Sequence, residues 1–259
     1  MIVMRIAIIT GASSGLGRDC ARQIPRLYKL LDEIWVIARR DERLKDLAPG
    51  LSVPVRVFAQ DLLEDDVYEN ISSCLKDYHP DIRMLVNAAG YGKIGEFQEI
   101  EEKEQLGMVQ LNCEALTRMT KICLPYMSAG SRIINLASAA AFGPQPEFAV
   151  YAASKSYVYS FSNALRSELK NQEIYVTSVC PGPVDTEFFE HTGEERPASV
   201  KDKLFVEAKN VVKKALIDSK KKRAVSVYGF PMKAARTASG MIPDPCIARL
   251  FQKMNDKKH

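Results

Sequence analysis

The chain has 259 residues, 46% of them apolar, and 36 basic against 32 acidic side chains give it a formal net charge of +4. That length and apolar share suit one α/β domain with its own core, and the near-balance of charge gives no bulk attraction to nucleic acid. Cysteines at 20, 74, 113, 123, 180 and 246 form no C-x-x-C pair and read as reduced thiols, while His79, His191 and His259 are too dispersed to bind a metal. Neither a disulfide framework nor a metal site is expected.

The first ten residues, Met1 to Thr10, are apolar but run at once into glycine. They are too short to span a membrane and carry no signal-peptide cleavage pattern, so they read as the buried first strand of a soluble, cytoplasmic protein. From there short apolar runs alternate with longer helical patterns. Strands are expected near 5–10, 34–38, 53–59, 83–87, 132–137, 175–180 and 224–228, and helices near 15–30, 41–48, 64–77, 101–127, 150–171 and 202–218. The alternation describes an α/β domain, a doubly wound parallel sheet of about seven strands with helices on both faces. No repeat or low-complexity linker divides the chain, so 1–259 is one unit.

The first strand leads into Thr10-Gly11-Ala12-Ser13-Ser14-Gly15-Leu16-Gly17 and then a helix. Glycines there permit a tight turn and let backbone N–H groups approach a pyrophosphate at the positive end of the helix. The spacing is G-x-x-x-G-x-G, not G-x-G-x-x-G. The second strand ends in Arg39-Arg40, where dinucleotide folds use an acidic residue to select NAD or an arginine to hold a 2′-phosphate. Guanidinium geometry suits phosphate, so NADP(H) is the expected cofactor. Asp41 is the competing carboxylate, but it also reads as the start of a helix. Asp61-Leu62 follows the third strand, placed either to bond an adenine amino group or to cap the next helix. Asn87-Ala88-Ala89-Gly90 ends the fourth strand in small residues, as close approach of a flat ligand requires.

Further on, Tyr151-Ala152-Ala153-Ser154-Lys155 opens a helix and places a phenol and an ammonium on one face at i and i+4. Such a pair is commonly only a solvated face. A cation held close to a phenol nevertheless favours the phenolate, moving a group with an ordinary pKa of roughly 10 toward general acid and base work near neutrality.

With Thr10 to Gly17, Asn87 to Gly90, Asn112, Ser138, and Tyr151 to Lys155 in this order, the chain resembles the short-chain dehydrogenase/reductase family over about residues 5–186. The resemblance implies a Rossmann fold and hydride transfer between NADP(H) and a carbonyl or secondary alcohol carbon. It implies that Tyr151 donates or accepts the substrate proton, that Lys155 lowers the tyrosine's pKa and binds the nicotinamide ribose, and that Ser138 holds the substrate oxygen. Asn112 would hold a water linking Lys155 to solvent, and Pro181, Gly182, Val184 and Thr186 would cup the nicotinamide. It also implies a homodimer or homotetramer joined through the helices near 101–127 and 150–171. A cofactor-binding regulatory protein without turnover is the alternative, but it would need no set of four such residues.

Residues 187–259 then form a substrate lid beginning at Glu187, a last strand and a C-terminal cap. Ala139, Ala140, Phe142, Phe148, Phe188 and Phe189 are candidate pocket residues and suit a bulky apolar ketone: hydroxysteroid-like, β-ketoacyl or xenobiotic. Lys220-Lys221-Lys222-Arg223 reads as a solvated helix end. The basic, amphipathic stretches 232–241 and 246–254 fit a membrane surface, a subunit contact or a cap over the pocket; packing on the protein itself is expected.

Overall fold

The computed structural model describes residues 3–188 and 205–256. Seven strands form one parallel sheet. In chain order they are β1 (Arg5–Thr10), β2 (Glu33–Ile37), β3 (Val55–Phe58), β4 (Asp81–Asn87), β5 (Arg132–Leu136), β6 (Tyr175–Val179) and, after two short strands described below, β9 (Val225–Ser226). Their order across the sheet is β3-β2-β1-β4-β5-β6-β9. Strands 1 to 3 progress toward one edge, after which the chain returns to lay β4 beside β1 and progresses the other way. The strand order reverses between β1 and β4, and the crevice beyond the carboxyl ends of such a pair is where open α/β sheets bind ligands.

Because helices cover both faces, each strand buries both of its faces, and alternate side chains divide between two cores. Ala7 and Ile9 of β1, Ile34 and Val36 of β2, and Met84 and Val86 of β4 face one side. There they pack on Ala21 and Ile24 of α1 (Gly15–Leu27) and on Val211, Val212 and Leu216 of α7 (Ala208–Lys220). Ile6, Ile8, Trp35 and Leu85 face the other side, against Ile71 and Leu75 of α3 (Asp66–Tyr78) and Met119 of α5 (Ala115–Cys123).

The expected helix over 101–127 is four pieces: α4 (Glu102–Val109), a π turn over Gln110–Glu114, α5, and a 3₁₀ turn over Leu124–Tyr126. The expected 202–218 helix starts only at Ala208, because Val206–Glu207 (β8) is extended and pairs in parallel with Val184–Asp185 (β7). A β-branched valine in an extended pair loses less side-chain freedom than in a helix. A short α2 (Asp41–Lys45) follows β2, and the Tyr151 helix is α6 (Ala149–Glu168).

The basic tail folds back as α8 (Phe230–Ser239) and α9 (Asp244–Asn255). Met232 lies over Gly182 and Ile247 over Gly143, so close that a methyl on either glycine would meet them at 2.7 and 2.9 Å. Arg236 donates to the Tyr159 hydroxyl, and Asn255 to the Pro146 carbonyl. Among the described residues no helix is long and apolar enough to cross a membrane.

Candidate active site

Three backbone corners converge at the β1–β4 switch point. Thr10 ends β1 with its hydroxyl accepting the N–H groups of Ala88 and Ala89, each at 3.1 Å, which clamps the glycine loop to the end of β4. Gly11 then turns with φ +66°, and a methyl there would lie 2.7 Å from the Ala89 nitrogen. Only glycine permits both the left-handed backbone and that contact. Ser14 precedes α1 without a side-chain cap bond, and the first turn of that helix holds no acid. Its opening N–H groups, including those of Gly15, Leu16 and Gly17, therefore lack side-chain acceptors from the cap and suit an anion. Across the crevice Thr186 stands against Gly15, 3.4 Å from where a methyl on that glycine would sit.

The catalytic candidates meet on the β4–β5 side. Tyr151 and Lys155 lie in the opening turns of α6, with 6% and 5% exposure. Ser138, just past β5, accepts the Ala140 N–H at 3.1 Å as it caps the turn Ala139–Phe142, and its hydroxyl acts on the Tyr151 phenol, favouring the ionised form. Lys155 Nζ donates to the Leu136 carbonyl at 2.9 Å and lies 5.6 Å from the centre of the Tyr151 ring.

Asn112 sits within the π turn, a distortion frequent at functional sites. Its Oδ1 accepts from the Tyr91 N–H and its Nδ2 donates to the Tyr91 carbonyl, both at 3.0 Å, and Nδ2 also donates to Ser154 Oγ at 2.9 Å. Gly90 is what lets this amide and Lys155 approach the strand end: a methyl there would stand 2.6 Å from Asn112 Oδ1 and 3.2 Å from Lys155 Nζ.

The expected lowering of the phenol by Lys155 is not what this arrangement yields. Burial pushes the Tyr151 pKa up to about 12, with the Ser138 hydrogen bond opposing, and burial lowers Lys155 to about 8. The reason is geometric: the ammonium is directed at a backbone carbonyl, and both groups have lost water, which penalises phenolate and ammonium alike. The phenol is thus held protonated at neutral pH, in the form that donates.

Around the phenol, Phe148 stacks on Tyr151 with ring centres 4.2 Å apart, and Phe188 lies at 5.4 Å. Ala140, Met108 and Tyr91 complete this cluster, whereas Phe142 packs elsewhere, edge-on to Tyr159. Ala139 is tied through its N–H to the Pro181 carbonyl at 2.8 Å. Phe189 lies outside the described residues, as does most of the expected lid.

At the far end of the crevice the two arginines separate. Arg40 reaches Ser13 Oγ through Nε at 3.3 Å and Nη2 at 3.2 Å, and its Nη1 lies 2.9 Å from Glu187. Arg39 has a side chain 71% exposed and lies 3.7 Å from Asp61. Asp61 also accepts the Leu63 N–H, as a turn cap does, and Leu62 is buried in the core. Asn87 donates to Thr120 and Asn135 and so ties β4 to β5 and α5. Val184 is in the core as well.

Arg43, Tyr91 and Gly92 are given no role in the sequence reading, and Glu187 figures there only as the start of the lid, not as a partner of the arginines. Arg43 and Glu187 meet only through the fold. Gly92 had a signal in principle, since it follows Asn87–Gly90 closely and a methyl there would strike the Tyr151 ring at 2.7 Å.

Comparison with known proteins gives the family. The family model for short chain dehydrogenase matches residues 5–197. Sulfoacetaldehyde reductase 2 of Chromohalobacter salexigens is 34% identical over 204 residues, 75% of this chain and 79% of that protein. 17-beta-hydroxysteroid dehydrogenase type 3 of Danio rerio is 32% identical over 206 residues, covering 75% and 64% respectively. A short-chain dehydrogenase from Sphingobium yanoikuyae in complex with NADPH superposes with a TM-score of 0.79 over 92% of this chain and 94% of that one, at 24% identity, a likeness of fold. The chain belongs to the short-chain dehydrogenase family of oxidoreductases.

Proposed function

We propose that this protein uses NADP(H) to reduce the carbonyl of a bulky apolar ketone to a secondary alcohol. The observation that carries this reading is the buried Tyr151 phenol, with Lys155, Asn112 and Ser138 gathered around it beside a glycine-lined crevice. The residues fit a dinucleotide: the uncapped start of α1 would hold its pyrophosphate, and Ser13 with Arg40 its 2′-phosphate. Bound NADPH would supply the hydride to the carbonyl carbon.

The chain's own residues do the rest. Tyr151 donates its proton to the carbonyl oxygen, and Ser138 donates a hydrogen bond to the same oxygen as negative charge grows there. Lys155, held on the Leu136 carbonyl beside the Tyr151 ring, would donate to the nicotinamide ribose, and Asn112 sits in the helix distortion against Gly90 and Lys155. Phe148 and Phe188 exclude water and favour an apolar substrate. Relatives named for a hydroxysteroid and for very-long-chain 3-oxoacyl-CoA support substrates of that size and polarity.

Exposed Leu106, Val109 and Tyr157 on α4 and α6 support a homodimer through those helices. Six free thiols support work in a reducing cytoplasm. The test is the initial rate of NADPH and NADH oxidation over steroid ketones, β-ketoacyl thioesters, quinones and simple aldehydes, with Tyr151→Phe as the blank. Turnover of one class that vanishes in the variant is expected. Silence across the panel with NADPH bound would favour a cofactor sensor instead.

A further inference from the structure

Glu187 follows Thr186 and is only partly exposed, its carboxylate turned to the two arginines that follow β2. Its Oε2 lies 2.9 Å from Arg40 Nη1 and 2.5 Å from Arg43 Nη1. Arg40 also donates through Nε and Nη2 to Ser13 Oγ in the glycine loop. Two guanidinium groups from one segment, one of them anchored on the glycine-loop Ser13, thus converge on one anionic position, and a carboxylate from elsewhere in the chain fills it. The Arg43 hydrogen bond, with burial opposing and Arg40 adding, holds the Glu187 carboxyl below the usual carboxylate range, so it is charged at neutral pH.

Building on the NADP(H) reading above, we propose that Glu187 is an internal competitor for the 2′-phosphate of the cofactor, occupying the position formed by Ser13, Arg40 and Arg43 until the phosphate displaces it. A phosphate monoester near neutral pH carries between one and two negative charges and three acceptor oxygens, and so matches two forked guanidinium groups better than one carboxylate does. The two anions cannot share the position, because like charges at that range repel strongly. A dinucleotide without the 2′-phosphate leaves Glu187 where it is. Glu187 therefore weakens binding of NADPH and leaves NADH almost unaffected, and Arg43 joins Arg40 in holding the phosphate. Arg39, paired with Asp61 and largely exposed, takes no part.

The experiment titrates the full-length wild type, Glu187→Gln, Glu187→Ala and Arg40→Ala with NADPH, NADH, adenosine 2′,5′-bisphosphate and 5′-AMP by calorimetry, with thermal unfolding to verify that each variant is folded. Both Glu187 variants should bind NADPH and the bisphosphate about tenfold tighter, a charge-assisted bond's worth, with NADH and 5′-AMP within about twofold of wild type. Equal tightening of all four ligands, or no tightening of NADPH, overturns the proposal. If Arg40→Ala lowers NADPH affinity selectively while the Glu187 variants change nothing, the NADP(H) assignment stands and the competitor role falls. If Arg40→Ala leaves the NADPH-to-NADH ratio unchanged, the assignment itself falls and the proposal with it.

Discussion

The two ends of the crevice are built from different materials. At the catalytic end Tyr151, Ser138, Lys155 and Asn112 are held by buried hydrogen bonds, several of them to backbone atoms such as the Leu136 carbonyl and the Tyr91 amide. At the phosphate end Arg39, Arg40 and Arg43 meet Asp61 and Glu187 in half-exposed ion pairs. Buried hydrogen bonds have one good geometry and are costly to leave unmade, whereas exposed ion pairs exchange partners at little cost. The first end is thus held in one arrangement, whereas the ion pairs of the second can change partners at small cost, as the two proposals above require.

The contrast can be tested most severely at the phenol. Tyr151→Phe should lower the rate of NADPH oxidation by at least about a hundredfold, the scale of a lost general acid, while fluorescence titration shows NADPH affinity within about twofold of wild type. Retained turnover would remove Tyr151 from the role of acid. Next is the packing that preorganises this end: Gly90→Ala forces a methyl against Asn112 and Lys155. We expect kcat to fall by roughly tenfold to a hundredfold, as small displacements of catalytic groups do. Gly50→Ala, with nothing within 4 Å of the added methyl, serves as the matched control and should be silent.

At the phosphate end, Arg40→Ala should weaken NADPH about tenfold and Arg39→Ala less than about threefold, with NADH unchanged in both. Calorimetric titration separates them, and equal losses would mean that both arginines share the phosphate.

The smallest effect is on stability. Burial lowers the Lys155 pKa in the folded state from its ordinary 10.5 to about 8. Below pH 8 both states carry the proton and the folded protein bears the full cost of a buried cation. Between 8 and 10.5 only the unfolded state binds it, so the penalty is relieved as pH rises. Lys155→Met should therefore stabilise the fold by about 1–2 kcal/mol at pH 7, after allowing for the Leu136 carbonyl left unpaired. The advantage should shrink by pH 9.5, as measured by urea unfolding. A pH-independent difference would place Lys155 in contact with water.

Much of this was legible along the chain. Strand and helix alternation predicted the parallel sheet, and local spacing predicted the glycine turn, the Asn87–Gly90 corner and the Tyr151–Lys155 face, because each is a short-range pattern with its own periodicity or turn chemistry. The π turn around Asn112 escaped because nothing in the local sequence distinguishes it from a regular helix carrying a buried amide. The β7–β8 pair escaped because strands of two residues leave no alternation to read.

By itself, then, the amino-acid order determined the fold class and the family, and it singled out four candidate residues, since these rest on contacts between residues near in sequence or on a chain of ordered motifs. Tertiary structure alone decided that Arg40 and not Arg39 faces Ser13, that Arg43 and Glu187 meet across 144 residues, and that burial raises rather than lowers the Tyr151 pKa. Those outcomes depend on distances between segments and on the water excluded from them, and neither quantity is encoded in any local stretch of the chain.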